Sequence, residues 1–170
     1  ITLLSLLSSM ILTSFVQKPI NLSGTWVFQI DRNGSYNASQ KYDDTIKLPG
    51  SMLTNGKGDL PSIHTKWTGS LYDSSYYYNP YMEKYRHTGS IKFPFFLTPE
   101  HYYVGYAWYR QNAEIPREWK RNRVVLYLER PHIETTVFVN GKEVGHQMSL
   151  SVPHEYDITD YVKFGKNNSI

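Results

Sequence analysis

Gly105-Tyr-Ala-Trp-Tyr-Arg110, Val124-Val-Leu-Tyr-Leu-Glu129, Val137-Phe-Val-Asn-Gly-Lys-Glu-Val-Gly145, Tyr156-Asp-Ile-Thr159 and Gly165-Lys-Asn-Asn168 follow one another in the C-terminal part of this chain. They read as short runs of β-branched and aromatic residues broken by turn formers, which is the pattern of a many-stranded β-protein. Tyr106 to Ile115 alternates as one long strand, closed by Pro116, which has no amide proton to give a ladder. The nearly unbroken apolar run from Val124 to Leu128 predicts a central sandwich strand over Arg123 to Glu129. Asn140-Gly141, between Thr135–Val139 and Lys142–His146, predicts a tight hairpin, because a type I′ turn needs positive φ twice. His154 to Asp157 reads as another short strand. Thr159 to Phe164 reads as a brief helical turn, with Thr159 or Asp157 as its cap and Gly165 as its stop. Asn167 to Ile170 opens a strand that the chain cuts off, which predicts a weakly protected sheet edge opposite Ser169.

Upstream the pattern is the same but sparser. Thr25 to Ile30 is a strand bounded by Ser23-Gly24 and by the turn Asp31-Arg-Asn-Gly34. Thr45 to Leu48 is a short strand ended by Pro49-Gly50. Ser51 to Thr88 has poor periodicity and is punctuated by Gly56, Gly58, Pro61, Gly69 and Pro80. It predicts mostly loop with short strands, and a loop of that length in a compact domain is usually functional. Long helices are absent from the reading, so the fold class is all-β and the architecture a β-sandwich.

Composition narrows the function classes. A chain of 170 residues is one domain by default, and 40% hydrophobic residues with 15% aromatic supply a core. Fifteen tyrosines suit half-buried strands, where a ring packs and a hydroxyl stays wet. Tyrosine also suits contact with sugar rings. The net charge of +3 has no block structure. Arg117, Lys120, Arg121 and Arg123 cluster around Trp119; a nucleic-acid face needs a longer stripe with interleaved stacking residues, and a solvated loop between strands is the favoured reading. No cysteine is present, which removes disulfides, thiolate metal sites and cysteine nucleophiles. Ile1 to Val16 is apolar, without charge before Lys18, and too short and serine-rich for a membrane span. It reads as the apolar part of a secretory leader, residues 1–17, with cleavage near Ser14 to Gln17. A periplasmic or extracellular protein is therefore expected.

The ordered pieces from Val104 onward, with Leu22-Ser-Gly-Thr-Trp26 and Leu48-Pro-Gly50 before them, resemble the N-terminal sugar-binding domain of family 2 glycoside hydrolases, the β-galactosidase and β-glucuronidase group. The resemblance covers roughly Asn21 to Ile170. It implies a jelly-roll, galactose-binding-domain-like sandwich over 18–170, C-terminally truncated, with a Tyr-rich insert at about 51–96. One departure is visible: the family often has His then Gly after this hairpin, whereas here Gly145 is followed by His146-Gln-Met-Ser-Leu. The resemblance also implies that the catalytic carboxylates sit on a later barrel, with downstream immunoglobulin-like and barrel domains as partners.

The residues agree that catalysis lies elsewhere. A glycosidase needs two carboxyl groups about 5 to 9 Å apart. Glu129 and Glu134 bracket Pro131 without a signature, Asp43 and Asp44 point to opposite faces if extended, and Asp157 and Asp160 read as caps. The six histidines show no metal-ligand spacing and read as surface or loop residues. No metal, cofactor or catalytic residue is expected. Sugar contact is the remaining chemistry, through aromatic faces and planar polar groups. Glu100, His101 and Tyr103 are the candidate substrate-binding residues, since the resemblance places their loop near the barrel's active site in some members. Tyr72, Tyr76, Tyr77, Tyr78 and Tyr81 are a second aromatic group, read first as packing for the insert. Trp108 is expected to fill the sandwich and Arg110 to pair with a carboxylate or shape an interface. Three functions stay open: the supporting front domain of an exo-acting β-glycosidase, a free-standing carbohydrate-binding module, and a purely structural sandwich.

Overall fold

The structure, a computed structural model, describes residues 19–61, 65, 80–85 and 99–170. The leader reading of residues 1–17 and the tyrosines 72, 76, 77 and 78 lie outside the described residues. Nine strands are present among them: β1 (Gly24–Asp31), β2 (Asp44–Leu48), β3 (Tyr106–Arg110), β4 (Asn112–Ile115), β5 (Val125–Leu128), β6 (Glu134–Val139), β7 (Lys142–Met148), β8 (His154–Asp157) and β9 (Lys166–Ser169). Three short 3-10 helices, Leu53–Asn55, Pro80–Tyr85 and Arg117–Arg121, are the helical content of the described residues. The molecule is a β-sandwich, as the alternation of its sequence requires. No helix among the described residues is long and apolar enough to cross a membrane.

Every ladder among the described residues is antiparallel. The three-stranded sheet has the order β2-β1-β3, and the other ladders are β4-β9, β5-β8 and β6-β7. Alternation along β1 decides what the first sheet buries. Trp26, Phe28 and Ile46 form a buried apolar cluster, backed by Ile30, Leu48, Met52, Ala107 and Tyr109. Phe28 stands opposite Tyr109, with ring centroids 5.1 Å apart in an edge-on contact. The larger core contains Ala113, Ile115, Val124, Leu126, Val137, Val139, Tyr156 and Ile158. Leu22 packs against both clusters and joins them. Full burial of a side chain such as Phe28 or Val139 stabilises by roughly 1.5–3 kcal/mol.

Several expectations meet the structure directly. The Asn140-Gly141 hairpin forms, with φ of 53° and 80° at its two central residues. β8 spans His154–Asp157 as read. The segment after it makes a single turn: Thr159 donates to Asp157 Oδ1 from its amide (3.1 Å) and its hydroxyl (2.6 Å), so Asp157 is the cap. Gly165 ends that turn at φ +70° and donates its amide to Ile115 O.

Others are corrected. The long strand from Tyr106 to Ile115 is two strands, because β3 pairs with β1 while β4 pairs with β9; the chain changes sheets at Gln111. β5 is not buried on both faces. Val124 and Leu126 point into the core, while Val125 and Tyr127 are 38% and 54% exposed, so the apolar run belongs to a half-wet strand. Trp108 does not fill the core. It shares a face with Gln29, opposite the Phe28 side, because their register pairs them; there its ring approaches Tyr42 and Phe138. Arg110 pairs with no carboxylate among the described residues. It lies over the Tyr42 ring, 4.0 Å from the centroid, and donates to Gln40 O. Arg117, Lys120 and Arg121 of the basic cluster lie on a 3-10 helix whose Trp119 packs against the larger core, so that ring is turned away from any stacking role.

His154 is fully buried rather than a surface residue. Thr135 Oγ1 lies 2.6 Å from its Nδ1 and Ser149 O 3.3 Å from its Nε2, and the Tyr156 hydroxyl donates to Thr135 O. Burial of a polar ring is tolerated because its atoms find partners. The edge opposite Ser169 is occupied: Ser169 O accepts the Asn140 amide at 2.8 Å, and Ile170 exchanges two backbone hydrogen bonds with Gln111.

Candidate functional site

Glu100, His101 and Tyr103 lie on the loop that enters β3, and a second loop, Gly56–Asp59, holds them. Asp59 and Tyr102 exchange backbone hydrogen bonds of 3.0 and 2.8 Å, an isolated antiparallel bridge. Gly58 makes the approach possible. Its φ is +113°, and a Cβ there would meet the Tyr102 backbone at 3.1 Å. His101 Nδ1 lies 3.3 Å from Gly58 O, so the ring is spent on the neighbouring loop.

Tyr103 folds back on its own strand. Its hydroxyl donates to Tyr106 O at 2.9 Å, over Gly105, where any Cβ would come within 2.6 Å of that hydroxyl. The Arg32 guanidinium lies 5.4 Å from the Tyr103 ring centroid and grips Asp59 with both terminal nitrogens, at 2.8 and 2.7 Å. Arg32 comes from the turn after β1. One side chain thus ties three segments together: the β1 turn, the 56–59 loop and the 99–105 loop. Glu100 is exposed and makes no side-chain hydrogen bond or ion pair among the described residues. The three candidates therefore share one loop but differ in what they do there, since His101 and Tyr103 fasten it and Glu100 alone is left facing solvent.

The electrostatics follow the contacts. Hydrogen bonding from Arg32 holds the Asp59 carboxyl below its ordinary range, and Asp59 in turn raises Arg32. Burial pushes the Tyr103 phenol up. Asp31, buried beside them, is raised by desolvation, but the amides of Ser35 (2.9 Å) and Tyr36 (3.0 Å) and the Trp108 indole (3.2 Å) outweigh it and leave the carboxyl lowered. Hydrogen bonds to the charged form favour that form. The arrangement is a polar, aromatic-edged surface whose two aspartates, Asp31 and Asp59, are already held by hydrogen bonds. Among the described residues no three His, Asp or Glu side chains gather at metal-binding distance. Glu134 is taken by His146 at 2.8 Å and Asp44 by Lys57 at 2.6 Å.

Arg32 and Asp59 were not legible as site residues. They are 27 positions apart, in two loops without a motif. The one signal is that Arg32 sits in the Asp-Arg-Asn-Gly turn that ends β1. Tyr81, from the second aromatic group, is 87% exposed.

Comparison with known proteins gives the arrangement its context. Residues 20–170 match the family described as "Glycosyl hydrolases family 2, sugar binding domain". A β-galactosidase of Clostridium acetobutylicum is 26% identical over 156 residues, covering 86% of this chain and 15% of that enzyme. A β-galactosidase of Thermoanaerobacter pseudethanolicus is 33% identical over 73 residues, 43% of this chain and 10% of the enzyme. The β-glucuronidase of Canis lupus familiaris is 36% identical over 70 residues, 39% of this chain and 11% of the enzyme. Among solved structures, the Lactobacillus rhamnosus β-glucuronidase superposes with a TM-score of 0.55 at 20% identity, covering 87% of this chain and 19% of its own. A Ruminococcus gnavus β-glucuronidase in complex with D-glucuronic acid gives 0.55 at 19% identity, with 90% and 22% covered. These likenesses show the fold, and this chain spans about a fifth or less of most of those lengths. The family match runs over nearly the whole chain: it belongs to family 2 of the glycosyl hydrolases, as that family's sugar-binding domain.

Proposed function

We propose that this chain is the non-catalytic N-terminal domain of an exo-acting family 2 glycoside hydrolase, which supports a downstream barrel and walls part of its substrate pocket. The observation that carries the reading is the family match over 20–170 in a chain spanning 10% to 15% of two β-galactosidases it resembles. The parent reaction is retaining hydrolysis of a terminal β-linked sugar, a galactoside or a glucuronide by the names of the relatives, using carboxylates supplied by the barrel. Immunoglobulin-like and barrel domains of the same chain are the partners. The apolar composition of residues 1–17, read as the remnant of a secretory leader, supports export to the periplasm or beyond.

The surface described above suits a supporting role. His101 and Tyr103 spend their polar atoms on holding their loop, and Glu100 projects from that fixed base. A rigid base positions a contacting group more accurately than a free loop does. The test compares the 170-residue chain with the full-length gene product on aryl β-galactosides and β-glucuronides. The full-length protein turns over one of them with retention, and the short chain turns over neither. Hydrolysis by the short chain, or a gene with no barrel downstream, overturns the reading. Tight, selective glycan binding by the short chain would point instead to a free-standing carbohydrate-binding module.

A further inference from the structure

We propose that Asn33 is a site of spontaneous deamidation in the folded protein, and that the fold protects the two other Asn-Gly pairs of the chain. The three pairs are Asn33-Gly34, Asn55-Gly56 and Asn140-Gly141. Asparagine followed by glycine is chemically labile because the glycine amide nitrogen has no Cβ beside it to hinder attack. That nitrogen bonds to the side-chain Cγ. The Cγ–Nδ2 bond breaks, and the amide proton leaves with the NH2 group as ammonia. The product is a five-membered succinimide. Water then opens one of its two carbonyls and leaves either an aspartate or an isoaspartate, in which the main chain runs through Cβ and Cγ. The net change is water taken up and ammonia lost, with no oxidant or reductant.

In an unfolded chain the three pairs are equivalent; in the folded chain they are not. Asn55 is clamped: its Oδ1 accepts the Lys47 amide at 2.9 Å, its Nδ2 donates to Lys47 O (3.1 Å) and Ser51 O (2.8 Å), and the Gly56 amide is itself spent on Leu53 O at 2.9 Å. Asn140 is clamped too. Its Nδ2 donates to Tyr161 O (2.9 Å) and Asn168 Oδ1 (2.8 Å), and its Oδ1 accepts the Ser169 amide at 3.3 Å. Neither Cγ can turn toward the next nitrogen without first breaking those bonds. Asn33 differs. It is exposed, and among the described residues its side chain makes no hydrogen bond. Gly34 sits at φ +64° at the end of the turn that follows β1.

The position gives the reaction a structural consequence. The new carboxylate appears beside Arg32, where it competes with Asp59 for the guanidinium. It also stands two residues from the buried Asp31 carboxylate. An isoaspartate adds a main-chain carbon just before Ser35 and Tyr36, whose amides clasp Asp31. The linkage that fastens the 99–105 loop is thereby loosened.

The test ages the full-length protein at mildly alkaline pH, native and in denaturant, and follows the three sites by peptide mass mapping and enzymatic isoaspartate methylation. In the native protein Asn33 reacts at least about tenfold faster than Asn55 and Asn140, the factor set by roughly one net hydrogen bond to be broken first. In denaturant the three rates converge. Asn33→Gln abolishes the native signal and leaves the denatured signal at the other two sites. Equal native rates, a faster Asn140 or Asn55, or an Asn33 that reacts only in denaturant overturns the proposal.

Discussion

The Asn140–Asn168 pair and the Arg32–Asp59 pair both fasten segments that are distant in sequence, but one is built on a buried side chain and the other stands in water. Asn168 is fully buried. Its Oδ1 accepts the Lys163 amide at 2.6 Å and Asn140 Nδ2 at 2.8 Å, and its Nδ2 donates to Lys163 O (3.0 Å) and Lys166 O (2.9 Å). The hub joins the β6–β7 turn, the segment before β9 and β9 itself without any formal charge. Arg32 and Asp59 keep side-chain exposures of 53% and 60%. A buried network is costly to leave half-made, whereas an exposed ion pair is screened and contributes little. The hub therefore sets stability, and the charged link sets the order of one loop.

The largest expected effect tests the first half of that contrast. Asn168→Ala leaves the Lys163 amide without its acceptor and Asn140 Nδ2 with Tyr161 O alone, and empties a fully buried site, so unfolding stability falls by about 3 kcal/mol, since each unsatisfied buried group costs ~1–3 kcal/mol. Urea unfolding measures it; a loss no larger than that of an exposed substitution breaks the comparison. Asn140→Gly comes next. Glycine keeps the positive φ that the turn needs, so the change removes the amide bonds alone, and a loss of about 1–2 kcal/mol is expected. A loss near zero would show that the turn geometry and not the amide network carries this position.

Acid separates the two regions without a mutation. Asp59 and Asp31 both titrate below the ordinary value of 3.8 in the folded chain. A depressed folded pKa adds stability that is fully present above the unfolded value and is lost as pH falls through the folded one. Acid below 3.8 therefore releases Arg32 and the Ser35 and Tyr36 amides, while the hub, whose bonds are amide to amide, holds. On β8, Thr159 and then Arg123 hold Asp157 down to about 2, so its turn lets go only as the pH approaches that value. Amide exchange followed from neutral pH downward should show the Ser35 and Tyr36 amides opening before those of Lys163 and Ser169. The reverse order would sink the assignment.

How much of this the sequence disclosed depends on whether the information is local. The Asn140-Gly141 turn was legible because two adjacent residues dictate it. Its attachment to Asn168 was not, because a contact across 28 positions leaves no periodic trace. The same reason hides Arg32 and Asp59, and it explains why His154 reads as a surface residue until Thr135 and Ser149 are seen around it. The apolar run at β5 misleads in the other direction. Val125 and Tyr127 belong to the wet face of a strand, and composition cannot tell a covered face from an open one. The candidate loop was legible by resemblance alone: His101 and Tyr103 are there, but their work of holding the loop is visible only in their bonds to Gly58 and Tyr106.

The smallest effect on stability is the sharpest probe of the loop. Arg32→Ala removes the link to Asp59 and the cover over Tyr103 while leaving both apolar clusters intact, so the unfolding midpoint should barely move. The Asp59 and Tyr102 amides should respond instead. Their mutual hydrogen bonds are the one backbone bridge between the 56–59 and 99–105 loops among the described residues, and an isolated bridge has no neighbouring ladder to keep it closed. Both amides are expected to exchange faster in the variant, and raising the salt should push the unsubstituted protein part of the way toward it, since the screening length shrinks from about 10 Å at 0.1 M to about 3 Å at 1 M. If the two amides stay protected in Arg32→Ala, then His101 on Gly58 and the Tyr103 hydroxyl on Tyr106 hold the loop by themselves. Glu100 would in that case be positioned by neutral contacts, and the distinction between a charged and an uncharged fastening would no longer separate the two regions.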